Sequence, residues 1–128
     1  MNELTDGVNW IAVIAGTLLS FLLGWLWFSP KLFGHKWAEG VGIAIDETAK
    51  MPLSAMLTQL AGTFLLAWII GVTATANALL TAILVVLTIV VLMISGGLFS
   101  QKSQYAISTE AGFVVVMAII MIVCQGVF

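Results

Sequence analysis

Few side chains in this sequence can do chemistry. His35 is the only histidine and Cys124 the only cysteine. Nucleophilic or transfer chemistry needs a nucleophile and a base held by a third group. The order of apolar segments places His35 and Cys124 at opposite membrane faces, which excludes a pair within one chain. His35 and Glu39 are four residues apart and can share a metal, but two ligands do not close a site. Met93, Met117 and Met121 read as adaptable packing, not as copper ligands. No metal, no cofactor and no enzymatic activity are therefore expected. That leaves Glu110, the only charged side chain within the apolar spans. Carboxylates inside membranes commonly bind protons or cations. Gln59, Thr58 and Thr63 are polar groups on another apolar helix, and with Glu110 they are the candidates to line a pathway.

The elements that must position these residues follow from composition. Of 128 residues, 62% are hydrophobic and 8% charged. A soluble domain carries about a quarter charged residues. Crossing a bilayer takes about 20 mostly apolar residues. Four segments qualify: Val8–Phe28, Pro52–Val72, Ala78–Phe99 and Ala106–Val127. The chain reads as one all-α integral membrane domain over 1–128. The N-terminus is acidic and lacks the basic region and cleavage site of a signal peptide, so the first span is expected to stay as an anchor. With a net charge of −2 there is no basic cluster for nucleic acid. One cysteine gives no disulfide within the chain.

The first span leaves the bilayer through Trp25, Trp27, Phe28, Ser29, Pro30, Lys31, Phe33 and Trp37. Tryptophan settles at the headgroup level, so Trp25, Trp27, Phe28, Pro30, Phe33 and Trp37 read as interface anchors. Pro30 ends one helix and can open the next, with Ser29 as its N-cap. Over 30–41 the wheel separates Phe33, Trp37 and Val41 from Lys31, His35, Lys36 and Glu39. That pattern predicts a short amphipathic helix lying in the interface plane. An irregular aromatic loop is the alternative, because Gly34 and Gly40 weaken a helix.

Orientation follows from the lysines. Lys31, Lys36 and Lys50 lie between spans one and two, and Lys102 between spans three and four. All four then face the cytoplasm, and both termini face outward. The expected location is the inner membrane of a bacterium, with the lipid bilayer as first partner.

Packing faces can be read as well. Ala12, Gly16, Ser20 and Gly24 recur every four residues, the spacing that lets helix backbones approach in lipid. Thr81, Thr88 and Ser95 recur every seven in the third span, with Val85, Leu92 and Phe99 between them, as in a coiled-coil seam. Ser54, Thr58, Gln59, Gly62 and Thr63 make a weakly polar face in the second span, pointed at the bundle interior or at a partner subunit. Phe28-Ser29-Pro30-Lys31 and Phe99-Ser100-Gln101-Lys102 share F-S-x-K, a match short enough for chance to explain.

Asn9-Trp10, Gly24, Trp27-Phe28-Ser29-Pro30, Leu32-Phe33-Gly34 and Trp37 together resemble the bacterial family known as domain of unknown function 1761. Its signature reads roughly G-x-x-W-Y-S-P-x-x-F-G-x-x-W. Here Phe28 stands where the family usually has tyrosine, which removes a phenolic hydroxyl. The motif covers the first third of the chain. Beyond Trp37 the similarity is one of hydropathy and length. The resemblance implies a small four-helix membrane protein and no particular activity.

Two function classes follow. One is a homo-oligomeric channel or transporter for an ion or small solute, with Glu110 near the pathway. The other is a non-transporting membrane assembly or accessory protein. Four packed helices leave no solvated path, so transport would need several subunits. Glu110 itself has two readings. It can face a cavity, or it can sit charged near the cytoplasmic end of its helix and pair with Lys102 or a lysine of the first connection.

Overall fold

The computed structural model describes residues 3–29, 32–42 and 53–128. They form five helices: α1 (Trp10–Trp27), α2 (Gly34–Val41), α3 (Leu53–Thr75), α4 (Leu79–Phe99) and α5 (Gln104–Val127). No strand occurs among the described residues. All but α2 are long and apolar enough to cross a membrane.

Local chemistry sets the helix ends. The Asn9 side chain accepts the Ala12 N–H at 3.1 Å and caps α1. Ser103 does the same for α5 through the Ala106 N–H, also at 3.1 Å. After α3 and α4 the chain reverses over a left-handed residue, Asn77 (φ 52°) and Gln101 (φ 61°). In both turns the next amide reaches back five residues, Ala78 N–H to the Thr73 carbonyl (2.8 Å) and Lys102 N–H to that of Gly97 (3.0 Å). These bonds satisfy the carbonyls a helix end leaves free.

The interfacial helix begins later than the spacing predicts. It starts at Gly34, with Phe33 as N-cap and no side-chain cap. Ser29 does not cap it: its carbonyl accepts the amides of Leu32 (3.1 Å) and Gly34 (2.9 Å), so the chain completes a tight turn before α2 can start. Pro30, expected as the first residue of that helix, lies outside the described residues.

α1 and α5 run antiparallel at the centre. A methyl added at Gly16 would stand 3.3 Å from Met121 Cγ, and one at Gly24 would stand 2.9 Å from Phe113 Cζ. Ala12 and Ser20, on the same stripe, are fully buried. α3 packs on α1 where Gly71 meets Val13. Val13, Ser20, Thr63 and Met121 fill the middle, each under 2% exposed.

The expected seam of α4 is not its buried face, and the weakly polar face of α3, expected at the bundle interior or at a partner subunit, mostly turns away from the interior. Only Ala82 and Gly97 of α4 are buried, and Gly97 seats the side chain of Ile107. Thr81, Thr88, Leu92 and Phe99 are exposed, so the seven-residue seam is not the face that packs on α5. In α3 only Thr63 of the weakly polar face points inward. Ser54, Thr58, Gln59 and Gly62 are on the outside of the chain. Thr58 there returns its hydroxyl to the Ser54 carbonyl at 2.7 Å.

Candidate functional site at the basic end

Lys36, Lys102, Glu39 and Glu110 gather at one end of the bundle, where α1 ends, α5 begins and α2 lies across them. Aromatic rings build the scaffold. Trp27 donates its indole N–H to the Thr109 carbonyl at 3.0 Å. Its ring centroid is 4.8 Å from that of Phe33 and 6.2 Å from that of Phe113. Phe28 meets Trp37 at 4.9 Å and Phe113 at 5.4 Å, both edge-on, a geometry the ring quadrupoles favour. Of the residues expected to anchor the interface, Trp27, Phe28, Phe33 and Trp37 thus pack on one another and on α5. Among the described anchors Trp25 stays far out, 78% exposed. Gly34 makes the turn possible, because a Cβ there would collide with the Phe28 carbonyl and the Ser29 backbone.

α2 is then fastened to the start of α5. The Gly40 carbonyl accepts the Ser103 N–H at 3.0 Å. Any side chain on Gly40 would run into Ser103 Oγ. Lys36 Nζ lies 5.4 Å from the centroid of the Tyr105 ring, close enough for a cation–π contact. Neither Phe113 nor the Gly40–Ser103 contact has a signal in the sequence, since their partners lie more than 60 residues away.

Glu110 sits in the second turn of α5. Both of its carboxylate oxygens accept from Lys102 Nζ, at 2.8 and 3.0 Å. The two side chains are 19% and 30% exposed, so solvent screens the pair only in part. Lys102 comes off the α4–α5 turn and folds back over α5. Glu110 is thereby placed in an ion pair at the end of the bundle and is not brought together with the other pathway candidates. Thr63 is buried, donates to the Gln59 carbonyl at 2.7 Å and lies 3.9 Å from Met117 Sδ. Gln59 and Thr58 face outward, and the Gln59 amide makes only a long 3.4 Å contact with Thr63 Oγ1.

Among the described residues, the buried polar atoms Ser20 Oγ, Ser29 Oγ and Trp37 Nε1 have no hydrogen-bond partner. Among the described residues no three of His, Cys, Asp and Glu stand close enough to hold a metal ion. A notch of about 250 Å³ opens between α2 and α5, lined by Lys36, Glu39, Gly40, Ser103 and Tyr105. A second, of about 320 Å³, lies at the far end, where Thr73, Asn77 and Gln125 are among its walls. The filled centre separates them.

No curated relative and no solved structure matches the chain. A family model does match, described as protein of unknown function (DUF1761), and it covers residues 11–126. Nearly the whole chain lies within that match, with only Trp10 of α1 and Val127 of α5 falling outside it among the helices, and the protein belongs to the DUF1761 family of proteins of unknown function.

Proposed function

We propose that this protein is a self-associating, non-enzymatic module of the bacterial cytoplasmic membrane, assembled through the outer face of α3. The observation that carries this reading is the position of Gln59. It lies six residues into α3, about 9 Å along the helix, on the outside of the chain. An amide facing hydrocarbon costs several kcal/mol unless it is hydrogen-bonded. A second copy supplies the bonds that the single long contact to Thr63 Oγ1 leaves unmade. A carboxamide both donates and accepts, so two Gln59 side chains across a two-fold axis can exchange both bonds. Ser54, Thr58 and Gly62 flank it at four-residue spacing, and nothing lies within 4 Å of a Cβ added at Gly62. Small residues of this kind let two backbones approach in lipid.

The alternative, transport, draws support from the same face. Thr58 and Gln59 can line a path between copies, whereas Glu110 is already paired and the centre of one chain is filled. The lysines support the cytoplasmic placement of the basic end.

The test is cross-linking of Thr58→Cys in a Cys124→Ala background, with native mass spectrometry of the intact protein. A disulfide-linked dimer is expected, lost when Gln59→Leu and Gly62→Leu are added. A monomer as the sole species in both detergent and nanodiscs would overturn the reading. Proteoliposome flux that disappears in Gln59→Leu, with the dimer intact, would move the function to transport.

A further inference from the structure

We propose that the notch between α2 and the start of α5 binds a phosphoethanolamine headgroup, with a membrane lipid as its source. Depth comes first. α1 ends at Trp27 and α5 begins at Gln104, so the notch opens at the boundary of the spans, where headgroups lie. Its volume of about 250 Å³ is below that of sites enclosing a whole drug-sized ligand, and suits a headgroup.

The lining then selects the chemistry. Lys36 has no carboxylate partner among the described residues, and its ammonium is held near Tyr105. Lys102, in contrast, is committed to Glu110. Ser103 Oγ accepts from the Ala106 amide, which leaves its own O–H free to donate. The first amides of α5 lack carbonyl partners within the helix and add partial positive charge. These groups suit a phosphodiester. Glu39 lies three residues from Lys36, on the same side of α2, and also lines the notch. A purely anionic headgroup would be repelled there. One that carries its own primary ammonium satisfies Lys36 through the phosphate and Glu39 through the amine, which donates hydrogen bonds that a quaternary amine cannot.

The notch is also a built feature. It exists because Gly40 permits contact with Ser103 and its carbonyl fixes the Ser103 amide.

The intact protein is titrated by native mass spectrometry with phosphatidylethanolamine, phosphatidylglycerol and phosphatidylcholine of equal chain length. Soluble glycerophosphoethanolamine forms a separate arm. Phosphatidylethanolamine is expected to bind tightest. Lys36→Gln should weaken it about tenfold. Glu39→Gln should abolish the preference over phosphatidylglycerol without loss of total lipid binding. Both side chains are exposed, so the variants should keep the parent's melting temperature. Equal retention of the three lipids, or retention unchanged in both variants, would overturn the proposal. Binding of glycerophosphoethanolamine as tight as that of the lipid would overturn the membrane source. Lipid adducts are counted per chain on whichever oligomer is present, so failure here and failure of self-association are read separately.

Discussion

Lys102 and Glu110 are joined through both carboxylate oxygens, 2.8 and 3.0 Å from one ammonium, across the turn from α4 into α5. The pair ties the last residues of the α4–α5 connection to the second turn of the helix that follows. It also neutralises the one carboxylate within the spans.

A pair this exposed contributes modestly. A double-mutant cycle with Lys102→Met and Glu110→Gln should give a coupling of about 1 kcal/mol, the upper end for surface pairs. Each single variant should still fold and assemble. Unfolding in mixed micelles measures it. Coupling near zero would mean that the contact has no energetic role, and a loss of assembly in Glu110→Gln alone would point to a role beyond this pair.

The glycines should rank by what a methyl would meet. At Gly34 it meets backbone, the Phe28 carbonyl and Ser29, which cannot give way. Gly34→Ala should therefore be the most damaging, at or above the 1–3 kcal/mol or so typical of overpacking. At Gly24 the neighbour is the Phe113 ring at 2.9 Å, and at Gly16 it is flexible Met121 at 3.3 Å, so the cost should fall in that order. Gly96 and Gly126 have nothing within 4 Å. Alanine in helical Gly96 should gain roughly 0.5–1 kcal/mol from helix propensity. Thermal unfolding of the four variants checks the order. Gly16→Ala falling below Gly34→Ala would contradict the packing.

The α1 stripe was legible because close helix contact in lipid selects small residues at a fixed spacing, and Ala12, Gly16, Ser20 and Gly24 have no other reason to recur. The packing face of α4 was not. That helix is apolar on every side, so Ala82 and Gly97 carry no periodic signal against Leu80, Leu84 and Leu87. Threonine and serine recur at seven-residue spacing on a face that does not pack on α5. The weakly polar face of α3 was visible as a stripe, but polarity alone does not separate the inside of one chain from a surface shared by two. Only the fold shows that Thr63 turns inward while Thr58 and Gln59 do not. At the basic end the W-F-S-P-x-x-F-G-x-x-W pattern located the turn. Its core is Phe113 and Thr109 from the far end of the sequence, which no local pattern announces.

The orientation gives a third prediction. Lys36 and Lys102 share one end of the bundle, with Lys31 and Lys50 on the same connection by sequence. Positive residues stay on the cytoplasmic side. In a Cys124→Ala background, Lys102→Cys should react with a membrane-impermeant maleimide only after the cells are opened. Glu3→Cys, at the other end, should react in intact spheroplasts. Labelling of both from the same side would contradict the topology.

The last prediction concerns Ser20. It lies on α1 midway between Gly16, which touches Met121, and Gly24, which touches Phe113, so it faces α5 in the middle of the bundle. Its exposure is 0% and its hydroxyl has no partner. Two effects oppose each other there. A small side chain is needed, because larger ones would push α1 off α5. The hydroxyl is a liability, because a buried polar group without a hydrogen bond costs about 1–3 kcal/mol. Alanine keeps the size and removes the oxygen, and it has the better helix propensity. Ser20→Ala should therefore stabilise the protein, by about 1 kcal/mol, while Ser20→Leu should destabilise it through overpacking. Thr17, one turn earlier, behaves differently: its hydroxyl already bonds the Val13 carbonyl at 2.7 Å, so Thr17→Val should be close to neutral or mildly destabilising. Unfolding of the three variants under one set of conditions separates the effects. A loss of stability in Ser20→Ala would show that the hydroxyl bonds a neighbouring carbonyl and is part of what holds α1 against α5.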